Sequence, residues 1–188
     1  LSFSSFAGRY IPFLRDEPAN DTRYLREALR EGLRIQKSLG VNPFTHGFIG
    51  STDTHIAAAG GVDEADYAGH HGIQSLTDDH LRVDIVEYNP GGLAVLYAEE
   101  NTRSSLFAAM KRREAYATSG PRIGLRFFAG PDMPEEACAS ADFAALGYQH
   151  GVPRGGELTA TSLNGRTPVF VAAARRASMG GAPLQRLQ

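Results

Sequence analysis

Hydrophobic periodicity changes once along this chain, at Gly120-Pro121, and that change constrains the fold more than any other feature. Before it, apolar positions recur at steps of three and four. Leu25, Ala28, Leu29, Leu33, Gln36 and Leu39 trace one face of a helix starting near Asp21-Thr22. Gly40 is a C-terminal stop, and Pro43 prevents the helix from resuming. A second helix is predicted from a cap at Asn101 or Thr102 through Arg103 to about Ala115, with Leu106, Phe107 and Met110 as its packing face. Glu99 and Glu100 precede it, and Lys111, Arg112 and Arg113 fall in its last turns. Both placements complement the helix dipole and account for the basic triplet without a phosphate ligand. After Gly120 the period becomes two: Ile123, Leu125 and Phe127 alternate with Gly124, Arg126 and Phe128, as in a strand. Further strands are expected at Leu158 to Ser162 and Val169 to Ala173, with a helical turn at Phe143 to Tyr148. The reading is α/β over residues 1–120 and a β-rich, sandwich-like extension over residues 121–188.

Within the first part, a short strand around Gly47 to Ser51 runs into Gly50-Ser51-Thr52-Asp53-Thr54-His55. Side chains two apart on an extended segment share a side, so Asp53 and His55 are expected to aim at one point while Thr52 and Thr54 point away. A carboxylate oxygen with an imidazole nitrogen suits zinc, manganese or iron. The letters alone are weak. With 10 Asp and 6 His in 188 residues, Asp-x-His is expected about 0.3 times by chance, and it occurs again at Asp78-Asp79-His80. In that second copy Thr77 and two acids look like a helix N-terminus. Asp53 also has a plainer reading, as the cap of a turn. A catalytic zinc takes about three protein ligands. His46 has the wrong parity on a continuous strand, and His70, His71 and His150 are the remaining histidines to consider. Residues 56–82 form a long connection rich in Ala, Gly, His and Asp, of a kind that is usually functional or disordered. Asn89-Pro90-Gly91-Gly92 reads as a turn, and Leu93 to Ala98 as a buried strand.

Composition narrows the function classes. A formal charge of −2 and a pI near 6.3 argue against a nucleic-acid-binding surface. No apolar run approaches membrane-spanning length. A single Cys138 excludes an internal disulfide and leaves the compartment open. The chain opens on Leu1 rather than Met, without a signal-like segment, and stops in the alternating stretch Pro183 to Gln188. The expectation is a piece of a longer protein whose N-terminal part supplies the missing ligands, with Leu184 and Leu187 on a strand cut short.

Taken together, Gly47 to His55, Asn89 to Gly92, Ala98 to Arg103 and Met110 to Ile123 resemble a large bacterial family of unassigned function. That family is similar to the polymerase-and-histidinol-phosphatase (PHP) superfamily of metal-dependent hydrolases. The resemblance implies a distorted β/α barrel, of which this chain looks like the C-terminal portion, with divalent metal ions at its rim. Asp53 and His55 match the superfamily's final Asp-x-His ligand pair. Its initial His-x-His has no counterpart here. The chemistry implied is attack of a metal-activated water on a phosphoester of a small molecule. Arg103, Thr118 and Arg122 are the candidates for oxyanion contacts, since a guanidinium suits phosphate. Two other readings stay open: a non-catalytic binding or oligomerisation module in the β-rich half, and a structural metal held by His70, His71 and His80.

Overall fold

In a computed structural model of the chain, residues 25–62, 91–177 and 181–186 are described. Its contacts divide it into two units, residues 1–46 and 47–188. The first unit holds helix α1 (Leu25–Leu39). Ion pairs one turn apart, Glu27–Arg30 and Glu31–Arg34, line its polar side. Gly40 ends it in the left-handed region, at φ 78°, with its N–H on Gln36 O at 2.8 Å. Its expected start near residue 21 lies outside the described residues. The segment after the helix turns back over Gly32: Asn42 Oδ1 accepts from Phe44 N, and a Cβ on Gly32 would stand 3.1 Å from Phe44 Cβ. Leu25, Leu33 and Leu39 align as expected but are exposed.

The second unit contains two small antiparallel sheets. Strand β1 (Leu93–Leu96) leads into helix α2 (Arg103–Lys111), which returns to strand β2 (Ala115–Thr118). The β1–β2 register runs from Leu93 opposite Thr118 to Leu96 opposite Ala115. Thr102 caps α2, its side chain accepting from Ser105 N at 3.3 Å. The helix ends at Lys111, short of the expected Ala115. Arg113 takes a left-handed conformation (φ 60°), which turns the chain and frees Ala115 to Thr118 to pair with β1. The packing face also differs from expectation. Fully buried Ala109 brings α2 close to β1, while Phe107 and Met110 are exposed.

The other sheet has the order β4-β3-β5, from strands β3 (Gly124–Gly130), β4 (Val152–Pro153) and β5 (Val169–Arg175). A short 3-10 helix (Glu135–Ala139) and helix α3 (Phe143–His150) follow β3. Phe128, only 1% exposed, packs with Met133, Val171 and Phe143, and its ring meets Phe143 and Tyr148 edge-on at 5.7 and 5.0 Å. Burial in β3 does not alternate: Phe128, Ala129 and Gly130 at its end are all buried, and Gly124 to Phe127 are half-buried. The strand expected at Leu158 to Ser162 is instead helix α4 (Ala160–Leu163). Thr159 and Ser162 exchange side-chain and backbone hydrogen bonds there as a capping box, which favours a helical turn over an extended one. No strand forms at residues 181–186, and Leu187 is outside the described residues.

Helices and strands are thus mixed as expected, but among the described residues the strands form no closed barrel. The boundary expected near Gly120 falls between the two sheets, inside the second unit. No helix among the described residues is long and apolar enough to cross a membrane.

Candidate functional site

Two tyrosines join the sheets of the second unit, and the reason lies in the shortness of β4. Its two residues cover β3 only at Phe128 and Ala129, so the first half of β3 lacks a strand on that edge. Side chains take the place of a strand. Tyr116 Oη donates to Ile123 O at 2.7 Å and accepts from Leu125 N at 3.3 Å. Tyr97 Oη donates to Leu125 O at 2.6 Å. Arg154 N then donates to Phe127 O at 3.0 Å, where β4 begins. The two rings lie 5.8 Å apart, between Arg126 at 3.7 Å from the Tyr97 centroid and Arg154 at 5.4 Å from that of Tyr116. Burial, chiefly, pushes the Tyr97 phenol up to about 12.

Beneath these bridges lies a cleft of about 900 Å³. Its walls include β1, Phe143 and Ala173, and its charged groups are Arg122, Arg126 and Arg175. Among its described lining residues there is no Asp or Glu. Arg126 is held from two sides, by the Tyr97 ring and by Tyr148 Oη, 3.2 Å from its Nη1. Tyr148 in turn donates to Glu114, a carboxylate only 4% exposed that also pairs with Arg112 at 3.3 Å. Burial, followed by the bond to Glu114, raises the Tyr148 pKa.

The loop that carries Asp53 and His55 reaches this cleft through Gly60 and is anchored by backbone contact. Gly92 N donates to Ser51 O at 2.7 Å. A Cβ on Gly50 would stand 2.9 Å from Leu93 O, and one on Gly92 2.9 Å from Ser51 O, so both positions need a residue without a side chain. This crossing replaces the expected strand, and residues 47–51 are irregular. Asp53 has φ 56°, so the segment is not extended at the candidate ligand. Thr52 and Thr54 do share a side, with their hydroxyls 3.1 Å apart and Thr52 buried. Asp53 and His55 are both exposed. Farther on, Arg122 Nη2 donates to Gly60 O at 3.1 Å and Val62 O at 3.4 Å.

Of the residues proposed for oxyanion contact, Thr118 and Arg122 therefore sit beside this loop. Thr118 O lies 3.2 Å from a Cβ position at either Gly50 or Gly92. Arg103 instead lines a separate apolar groove on α2 with Leu106, Phe107 and Met110. Two of the basic triplet have protein partners: Arg112 contacts Glu114 and Tyr97 O, and Arg113 contacts Glu157. Asp53 and His55 have the donor chemistry a divalent metal takes, and they are accessible to one. They supply two of the roughly three protein ligands needed, and among the described residues no group of three or more His, Cys, Asp or Glu is placed to hold an ion. His70, His71 and His80 lie outside the described residues.

Arg126, Arg175, Tyr97 and Tyr116 were not singled out from the sequence as site residues. The one local signal is that Arg126 interrupts an otherwise apolar strand.

A mixed α/β chain with a cationic cleft beside an Asp-x-His loop is what fold and site define. Residues 9–188 match the family described as a protein of unknown function (DUF3604), and the chain belongs to that family. No curated protein and no solved structure matches it.

Proposed function

We propose that this chain is part of a metal-dependent hydrolase that cleaves a phosphoester of a small molecule. The observation that carries the reading is the placement of the Asp53/His55 loop. It is fixed at one end by the Gly50–Gly92 crossing and at the other by Arg122, and through Gly60 it reaches a cleft whose described charged groups are all cationic. A rigid mount suits a metal ligand, because the productive geometry tolerates little drift. Asp53 and His55 would hold a divalent ion, Zn, Mn or Fe, with other ligands from the rest of the polypeptide. Such an ion lowers the pKa of a bound water towards neutrality. The protein's own contribution is to orient an anionic substrate through Arg122 and its neighbours and to shield it from bulk water. The PHP resemblance supports the same chemistry. In that reading residues 1–120 belong to the barrel and residues 121–188 to its β-rich extension.

Metal analysis of the purified protein beside Asp53→Asn and His55→Ala tests this. Both variants should lose bound metal, and hydrolysis of p-nitrophenyl phosphate should fall by about a hundredfold or more. Unchanged metal content in both would remove these residues from any metal site.

A further inference from the structure

We propose that the cleft between the two sheets binds a phosphomonoester with an apolar body, its oxyanion held between Arg126 and Arg175 and its body against the Phe143 side. The choice of phosphate over other oxyanions rests on the hydrolase reading above. The site itself rests on the register of β3 and β5.

Gly124 pairs with Arg175 and Arg126 with Ala173. Residues directly opposite one another share a face, as do residues two apart on a strand. All four therefore project from one face, with the two arginines on a diagonal. Each faces a small partner, Gly124 or Ala173, so the space between their guanidinium groups is not filled by the sheet. A Cβ placed on Gly124 would stand 3.8 Å from Arg175 Nε, which puts the Arg175 stem over that gap. Along the same face the next pair is Phe128 and Val171, both in the core. Phe143 packs on that core and lines the cleft, so the cleft has an apolar wall at Phe143 and a cationic rim.

Among the described lining residues no carboxylate balances the charges on this rim. The Arg175 side chain has no ion pair and no hydrogen bond among the described residues. Two guanidinium groups on one diagonal repel, and an oxyanion between them relieves the repulsion while accepting charge-assisted hydrogen bonds. Arg126 is already oriented by Tyr97 and Tyr148, so it loses little freedom on binding. The volume suits a small organic molecule better than a bare ion.

Titration calorimetry of the 188-residue chain with phenyl phosphate, and separately with inorganic phosphate, tests the proposal. Phenyl phosphate should bind about tenfold or more tightly than inorganic phosphate, because only its ring reaches the apolar wall at Phe143. Arg175→Met, at an exposed strand end, should weaken phenyl phosphate about tenfold and leave the melting temperature in place. Ala173→Leu, which fills the gap, should weaken it without any change of charge. Absence of saturable binding, equal affinity for the two probes, or undiminished affinity in both variants overturns the proposal. The hydrolase reading fails on a separate readout. Retained metal in Asp53→Asn and His55→Ala sinks that reading while leaving a phenyl phosphate site intact, and lost metal with no phenyl phosphate binding sinks only the cleft.

Discussion

Arg122 reaches across sixty-two positions of sequence to Gly60, its Nη2 donating to that carbonyl at 3.1 Å and to Val62 O at 3.4 Å. The contact gives this arginine a second job beside lining the cleft: it closes the loop that carries Asp53 and His55. Val62 is 2% exposed, so the clamp fastens the loop at a buried point. Arg122→Met keeps most of the stem but removes the donor. Hydrogen bonds from a charged donor to partly exposed carbonyls contribute about 1–2 kcal/mol, and the variant should lose roughly that much stability. Residues 53–62 should also show faster hydrogen exchange and earlier proteolytic cleavage. If the loop is equally protected in the variant, the clamp is not what holds it.

Tyr97 offers a pH readout of the bridge between the sheets. Its phenol is raised from 10 to about 12, mainly by burial, so the folded state holds a proton that the unfolded chain releases near pH 10. The folded state binds more protons in that interval, so stability must fall as pH rises from about 10 to 12 and be unaffected by this group below 10. A spectrophotometric titration of the seven tyrosines should show a late-titrating phenol, absent in Tyr97→Phe. Stability of that variant should decline less steeply across the same window. A wild-type titration complete by pH 11 would mean that the Tyr97 ring is not buried as described.

Much of the secondary structure was legible because its causes are local. The spacing of Leu25 to Leu39, the Thr102 cap and the apolar run at Val169 each act within a few residues, and the corresponding helices and strand are present. Where tertiary context decided, the local reading failed. The helix was expected to run to about Ala115, but the left-handed turn at Arg113 and pairing with β1 end it at Lys111 and make Ala115 the start of a strand. Thr159 to Ser162 looked β-like by composition, yet its hydroxyls cap a helical turn. The Asp53/His55 pair was visible as a motif, while its mounting was not, since Gly92 and Arg122 are distant in sequence. The cleft was hidden for the same reason. Arg126 and Arg175 become neighbours only through the β3–β5 register.

Tyr116 tests whether a side chain truly stands in for a missing strand. Its hydroxyl serves both Ile123 O and Leu125 N, and the residue is 3% exposed. Tyr116→Phe retains the ring and its packing against Tyr97 but leaves those backbone groups without this partner. Unsatisfied buried polar groups cost about 1–3 kcal/mol, so the variant should be destabilised by that order in a denaturant melt. Exchange at the Leu125 amide should rise more than at Ala129, which faces the same edge and pairs with Val152 of β4. A melt indistinguishable from wild type would show that water replaces the hydroxyl at little cost, and that the edge is more open than the distances imply.

Asp53 combines a candidate metal ligand with backbone strain, and substitution can separate the two. At φ 56° it occupies the left-handed region, which costs an ordinary L-residue about 1–2 kcal/mol, Asp and Asn less, and glycine almost nothing. Asp53→Gly removes the carboxylate and the strain together, while adding chain entropy to the unfolded state, so its net stability should stay within about 1 kcal/mol of wild type. Asp53→Val also removes the carboxylate but places a β-branched residue where it fits worst, and should be less stable than the glycine variant by about 1–2 kcal/mol. If the carboxylate is a ligand, both variants lose metal to the same extent despite this difference in stability. Equal stability of the two would show that the loop is not left-handed at residue 53. Metal loss in the valine variant alone would mean that distortion of the loop, rather than the missing carboxylate, empties the site.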